Sequence, residues 1–296
     1  MSSFATIAAL TASVSVSVVS AVPWSPATVL FGTAIKNGPI PPNTDWPVFN
    51  HSCVTPPCVI TQIHVPSIYP GSGCPWDWED GLLRIFVDGE STPTLDLTLL
   101  QIASVGRAGA QGDGHTDISP FSAELFGKNA QTGGVWTTIR IPFQSTVSVT
   151  LRQASTCSAQ GTAWIIVRGV ENTPIRMSEI DLPANAKLYQ SSINGQVFSP
   201  QQFITLASSP PSTSGMLLYT FLDATSGDPN YLEGCFHITD QAGTVFLSSG
   251  TEDYFLVSGN EIKKGKKRFT SKYSHFLSFS HSLKTLSTYI IVCVLL

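Results

Sequence analysis

Two glutamates in this 296-residue chain stand in surroundings unusual for solvated surface acids. Glu252 lies in Ser248-Ser249-Gly250-Thr251-Glu252-Asp253-Tyr254-Phe255, between a glycine-containing turn and two aromatic residues. Glu233 lies in Tyr231-Leu232-Glu233-Gly234-Cys235-Phe236, at the entry to an apolar strand. Apolar neighbours disfavour the charged carboxylate and raise its pKa, as a general acid near neutral pH requires. The two residues are 19 positions apart, roughly one hairpin, so their side chains can face a single pocket from neighbouring strands. Carboxyl groups about 5 to 5.5 Å apart suit displacement at an anomeric carbon with retention, one attacking while the other protonates the leaving oxygen. The plain alternative is that Glu-Gly and Glu-Asp pairs cap turns or accept backbone N–H bonds.

Other residues fit around such a pocket. Trp76-Asp77-Trp78-Glu79-Asp80 offers flat aromatic faces and acidic hydrogen-bond acceptors, with Trp76, Asp77 and Trp78 as candidate sugar contacts. The same cluster also reads as a loop pinned by one buried tryptophan. Asp253 either orients Glu252 or binds a backbone amide. His64 and His237 read as core or edge histidines rather than bases. Arg84 and Arg140 read more readily as solvated strand residues than as partners of the acids. Glycines 106, 109, 112 and 114 lack the strand-to-helix context and the lysine of a phosphate loop. The six cysteines are Cys53, Cys58, Cys74, Cys157, Cys235 and Cys293, able to pair fully or to remain thiols. For Cys53 and Cys58, which enclose Pro56-Pro57, a local disulfide is one reading and free thiols the other. No second Cys/His pair follows at zinc spacing, so no metal is expected.

The elements that must position these residues are strands. Leu82 to Val87 is a compact apolar run closed by Asp88-Gly89, a pair suited to positive φ. Val147, Val149 and Leu151 alternate with Ser148, Thr150 and Arg152, the period of a half-buried strand. Ala163 to Val167 is apolar on both faces, as a central strand is. Met216 to Leu222, Cys235 to Thr239 and Val245 to Leu247 form a second set. Many short strands among 23 Gly and 20 Pro, with no convincing amphipathic helix, predict an all-β protein of two sandwiches or jelly rolls. The division falls near Glu171 to Leu182.

The ends differ from the body. Ser3 to Ala21 is uncharged and resembles a secretory signal, which with the sequon Asn50-His51-Ser52 predicts a secreted protein. Residues 1–255 hold 9 Lys+Arg against 19 Asp+Glu, a net of −10, whereas residues 256–296 hold 7 against 1, a net of +6. An acidic body is a poor partner for nucleic acid, whose affinity rests on cationic neutralisation of phosphates. The terminal apolar run, Tyr289 to Leu296, is too short for a membrane-spanning helix. The expected organisation is a signal peptide over 1–21, a first jelly roll over 22–172, a partial second one over 173–255, and a basic tail over 256–296 foreign to the domain.

Ser249-Gly250-Thr251-Glu252-Asp253-Tyr254-Phe255 resembles the signature of glycoside hydrolase family 172. Asn43-Thr44-Asp45-Trp46, Val59 to His64, Leu83 to Glu90, Arg140 to Gln144 and Leu232-Glu233-Gly234 agree in the same order, so the likeness runs from Asn43 to Phe255. The resemblance implies a double jelly roll assembling into trimers or larger rings. It implies a cofactor-free retaining hydrolase of fructofuranosyl or arabinofuranosyl linkages in oligo- or polysaccharides, with Glu233 as nucleophile and Glu252 as acid/base. The chain departs from the family at Cys235, over Thr92 to Leu100, and after Phe255, where the tail replaces strands of the second roll. A sandwich short of strands leaves edges unpaired, so the chain as written is expected to fold poorly or lack activity. The competing reading is a non-catalytic jelly roll that binds glycans or assembles into a structural shell.

Overall fold

The computed structural model describes residues 27–69, 81–103, 121–122, 125–128, 134–153, 155, 157–177, 180–196, 214–226, 236–239, 245–248, 267–272 and 285–295. The first unit contains β1 (Val29–Ile40), β2 (Trp46–Ser52), β3 (Cys58–Tyr69), β4 (Leu82–Val87) and β5 (Leu95–Thr98), followed by α1 (Leu99–Ala103). It continues with β6 (Phe121–Ser122), β7 (Phe126–Lys128), β8 (Val135–Thr137), β9 (Ile141–Phe143), β10 (Thr146–Arg152) and β11 (Gly161–Glu171). A hairpin of β12 (Ile175–Met177) and β13 (Ile180–Leu182) leads to the second unit.

The pairings of the first unit are nested. β1 pairs with β11, β2 with β10, β3 with β8 and β9, and β4 with β5, each pair enclosed by the one before it and all antiparallel. A ribbon wound in this way is a jelly roll. It forms two facing sheets, β1-β11-β3-β8-β7-β6 with β9 also on β3, and β2-β10-β4-β5. The alternating run at Val147 to Leu151 and the all-apolar run at Ala163 to Val167 both lie in its central strands. β11 lies between β1 and β3 with Ala163, Ile165 and Val167 fully buried, and β10 lies between β2 and β4 with Val147, Val149 and Leu151 inside. Beside β10 in the same sheet, β4 buries Leu83, Ile85 and Val87. Each such side chain stabilises the roll by about 1.5–3 kcal/mol relative to exposure.

Two glycines let aromatic rings close the side of the sandwich where β1 and β2 are neighbours. A Cβ on Gly38 would lie 1.9 Å from the Trp46 ring, and one on Gly169 would lie 2.1 Å from the Phe31 ring. Those rings therefore rest directly on backbone. The Asp88-Gly89 turn has φ of 52° and 74°, the left-handed pair its sequence predicts, and the Glu90 N–H closes it on the Val87 carbonyl at 2.9 Å.

The second unit contains β14 (Lys187–Gln196), β15 (Ser214–Ser226), β16 (Phe236–Thr239), β17 (Val245–Ser248), β18 (Lys267–Lys272) and β19 (Thr285–Leu295). Nesting recurs: β14 pairs with β19, β15 with β18 and also β19, and β16 with β17. The fold is thus an all-β double jelly roll, the second roll carrying fewer strands among the described residues. The basic segment contributes β18, and the apolar terminal run contributes most of β19, which lies between β14 and β15. The sequence reading places no strands there.

The two rolls touch along β5. The Gln190 amide bonds both backbone groups of Asp96, accepting from its N–H at 2.7 Å and donating to its carbonyl at 2.8 Å. Lys187 pairs with Glu90 at 2.9 Å, and the Gln144 amide donates to the Ala184 carbonyl. β14 so covers the β5 edge, one standard protection against sheet extension.

Candidate functional site

Glu233, Glu252, Asp253, Trp76, Asp77 and Trp78 all lie outside the described residues. His237 falls on β16. Arg84 sits on the outer face of the β4 sheet, where its guanidinium reaches Asp45 at 2.9 Å and Asp96 at 3.2 Å. Burial acts to lower its pKa, but the hydrogen bonds and charges of Asp45 and Asp96 outweigh this and raise it. Arg140 is exposed. His64 stands half-buried on the outer face of the other sheet, its pKa lowered first by burial and then by the Arg168 charge. It pairs across strands with Ile166 on one side and Trp136 on the other.

A depression of about 450 Å³ lies on the outer face of the β2-β10-β4 sheet, lined by Asn50, Ser52, Phe86, Glu90 and Ser148 among others. Its one carboxylate, Glu90, is engaged by Lys187 and by the Thr94 hydroxyl. It holds no pair of acids.

The most constrained polar cluster lies where β2, β3 and β11 end together. Glu171, the last residue of β11, is 3% exposed. One carboxylate oxygen meets His51 Nε2 at 2.6 Å, and the other accepts the N–H groups of Val54 at 3.1 Å and Thr55 at 2.9 Å. Burial acts to raise the Glu171 pKa, but the Thr55 N–H, the His51 ring and the Val54 N–H together hold it below the ordinary glutamate value. The His51 ring stacks on Phe31 with centroids 4.0 Å apart and meets Phe143 edge-on. A Cys53–Cys58 disulfide closes the loop that supplies both N–H groups. The loop is tied from outside by the Asn172 N–H, which bonds the Thr55 and Pro57 carbonyls at 2.9 and 3.0 Å.

The sequence reading does not single out this cluster, although one signal was available. Gly161, Ala163, Ile165, Val167, Gly169 and Glu171 share the inward face of β11 at period 2, so an acid falls on a buried row.

The first roll also carries an open flank. β1 ends its sheet, and among the described residues no strand pairs with its far side. It is twelve residues long, and Val29 and Leu30 are 51% and 66% exposed. Leu30 and Ala34 stand opposite Val170 and Ile166 of β11, so the apolar strip continues onto the outer face. Lys36 is the one charged residue in the strand and lies over the Trp164 ring, 4.9 Å from its centroid.

No family model matches the chain, and no curated protein matches it. Similar solved structures include one described as the STIV MCP, with a TM-score of 0.43, 9% identity, and coverage of 90% of this chain and 97% of that chain. Another is the major capsid protein P2 from bacteriophage PM2, with a TM-score of 0.46, 9% identity, and coverage of 88% and 97%. The expectation of a family 172 furanosidase acting on a saccharide is therefore corrected. Neither a family model nor a curated relative joins the chain to those hydrolases, and the structures similar to it are of capsid proteins. The physical reason is visible in the motifs that fall on described residues. Val59 and Ile60 are core, Asp45 and Arg84 bridge a sheet face, and Asp88 caps a turn, so these segments build a jelly roll and carry no chemistry specific to sugars. No helix among the described residues is long and apolar enough to cross a membrane.

Proposed function

We propose that this chain is a structural subunit that assembles with copies of itself. The observation that carries the reading is the β1 edge, on whose far side no strand pairs among the described residues. Residues Val29 to Ile35 form a run without charge or proline, bordered on the sheet face by Val170 and Ile166. A strand of this kind offers a row of free N–H and C=O groups to another strand, and natural sheets commonly blunt such edges with lysine, proline or a bulge. Here those devices are confined to the far end, at Lys36, the register shift between Ile35 and Gly38, and Pro39. In the facing sheet, the β5 edge is already covered by β14.

A second copy is the partner that suits this strip. Val29 to Ile35 are uncharged, so a like strip can meet this one without charge repulsion. Two β1 strands meeting antiparallel about a two-fold axis place the same residues on both sides, join two sheets into one and bury both Leu30 side chains.

Light scattering coupled to gel filtration tests this with Leu30→Lys and Ala34→Lys. Both positions are exposed, so each variant is expected to keep the wild-type far-UV circular dichroism while eluting with monomer mass under conditions where wild type is a multimer. Unchanged multimers in both variants would overturn the β1 assignment.

A further inference from the structure

We infer that reducing the Cys53–Cys58 disulfide turns the corner at Glu171 into a binding site for Zn²⁺ or a cation of similar chemistry, held by the two thiolates and the Glu171 carboxylate. The sulfur atoms of Cys53 and Cys58 and a carboxylate oxygen of Glu171 all lie within 4.8 Å of one another. Zinc requires donors about 2.0 to 2.3 Å from the metal, so a set this tight needs only small movements to close on one ion. Two soft sulfurs with one oxygen suit zinc and exclude the hard, all-oxygen coordination of calcium or magnesium.

The surroundings favour the same ligand class. Cys58 and Glu171 are buried, and Cys53 is half-buried, which gives reductant and metal a way in. His51 meets one Glu171 oxygen at 2.6 Å while Val54 and Thr55 hold the other, the outer-shell bonding that fixes a ligand's direction. Facing the cluster from β1 and β9 are Phe31 and Phe143, which are apolar, and His51 of β2 is the ionisable neighbour among the described residues. Two thiolates and a carboxylate place three negative charges where burial without a cation is costly. A divalent ion offsets two of them.

A phosphine or thiol reductant supplies two electrons, the S–S bond breaks, and two protons from solvent give two thiols. The metal then displaces both protons to solvent as it binds the thiolates. In the oxidised chain the sulfur lone pairs remain on a disulfide, a poor zinc ligand, so reduction gates the site.

The test uses the full chain, a phosphine reductant and Co²⁺ as the spectroscopic probe. Reduced wild type is expected to develop a near-ultraviolet thiolate-to-cobalt absorption that saturates at one equivalent and is bleached by Zn²⁺. The oxidised chain should show none. Cys58→Ser should remove the band, and Glu171→Gln should weaken cobalt binding about tenfold or more with the far-UV spectrum unchanged. Should Cys58→Ser be poorly folded, Cys53→Ser, in the half-buried position, serves as the second variant. Absence of a thiolate band in reduced wild type overturns the inference. So does a band of the same strength and affinity in the cysteine variants, which would assign the signal to the other cysteines, or in Glu171→Gln.

Discussion

Asp88 gives the sharpest quantitative handle on the first jelly roll. Its carboxylate closes the turn between β9 and β10 by accepting the N–H groups of Ser145 at 2.7 Å and Gln144 at 2.8 Å, the Ser145 hydroxyl at 3.0 Å and, more weakly, the Thr146 N–H at 3.4 Å. Asp88→Asn keeps an acceptor and tolerates φ of 52°, so the substitution removes charge and little else. Hydrogen bonds to an ionised group are roughly twice as strong as neutral ones. Losing that increment on two short bonds, discounted for partial exposure, predicts a loss of about 1–1.5 kcal/mol. At roughly 2–4 °C per kcal/mol for a unit of this size, Tm should fall by about 2–6 °C. The sign of the pH dependence follows from the same geometry. Burial acts to raise the Asp88 pKa, but the Ser145, Gln144 and Thr146 bonds outweigh it, so the folded value lies below the unfolded one. A depressed carboxylate contributes stability that is present above the unfolded value and is lost as pH falls through the folded one. Urea melts of wild type and Asp88→Asn should therefore differ at pH 7 and converge progressively below about pH 4. Equal stability at pH 7, or a difference unchanged down to pH 2, would show that the Asp88 charge contributes nothing to the turn.

Three further substitutions probe packing and the contact between the rolls. Gly169→Ala sets a methyl 2.1 Å from the Phe31 ring and 2.6 Å from the Val59 carbonyl, a backbone atom that cannot move aside, and should cost about 1–3 kcal/mol in denaturant melts. Thr150→Val removes a buried hydroxyl that has no hydrogen-bond partner among the described residues, so stability should stay level or rise by about 1 kcal/mol; a loss above that would mean the hydroxyl has a partner. A double-mutant cycle on Glu90 and Lys187 should give a coupling under about 1 kcal/mol, because both side chains are more than a third exposed.

Strand identity was legible in the sequence where one face is buried and the other is not. Val147, Val149 and Leu151 of β10 announce themselves by period 2, and Leu82 to Val87 of β4 by a compact apolar run. Asp88-Gly89 announces its turn by residue type alone. Two jelly rolls followed from the number of such strands. The strands after residue 256 were not legible, because β18 is Lys-Arg-Phe-Thr-Ser-Lys and its cationic character masks an extended segment paired with β15. Function was less legible than fold. The short collinear motifs that suggested a furanosidase include turn and core residues whose visible task is structural, and such residues recur wherever the same backbone must be built. The His51, Cys53, Cys58 and Glu171 cluster escaped notice for a different reason. Its members come from two stretches more than a hundred residues apart, and only the nested pairing of β11 against β1 and β3 brings them together.

Sedimentation equilibrium of the wild-type chain over a series of micromolar concentrations tests the assembly account most directly. Self-assembly through β1 gives a mass at a whole multiple of 31.7 kDa that falls toward the single-chain value on dilution or on Leu30→Lys. A mass of 31.7 kDa at every concentration, from protein with a cooperative melt, would contradict it.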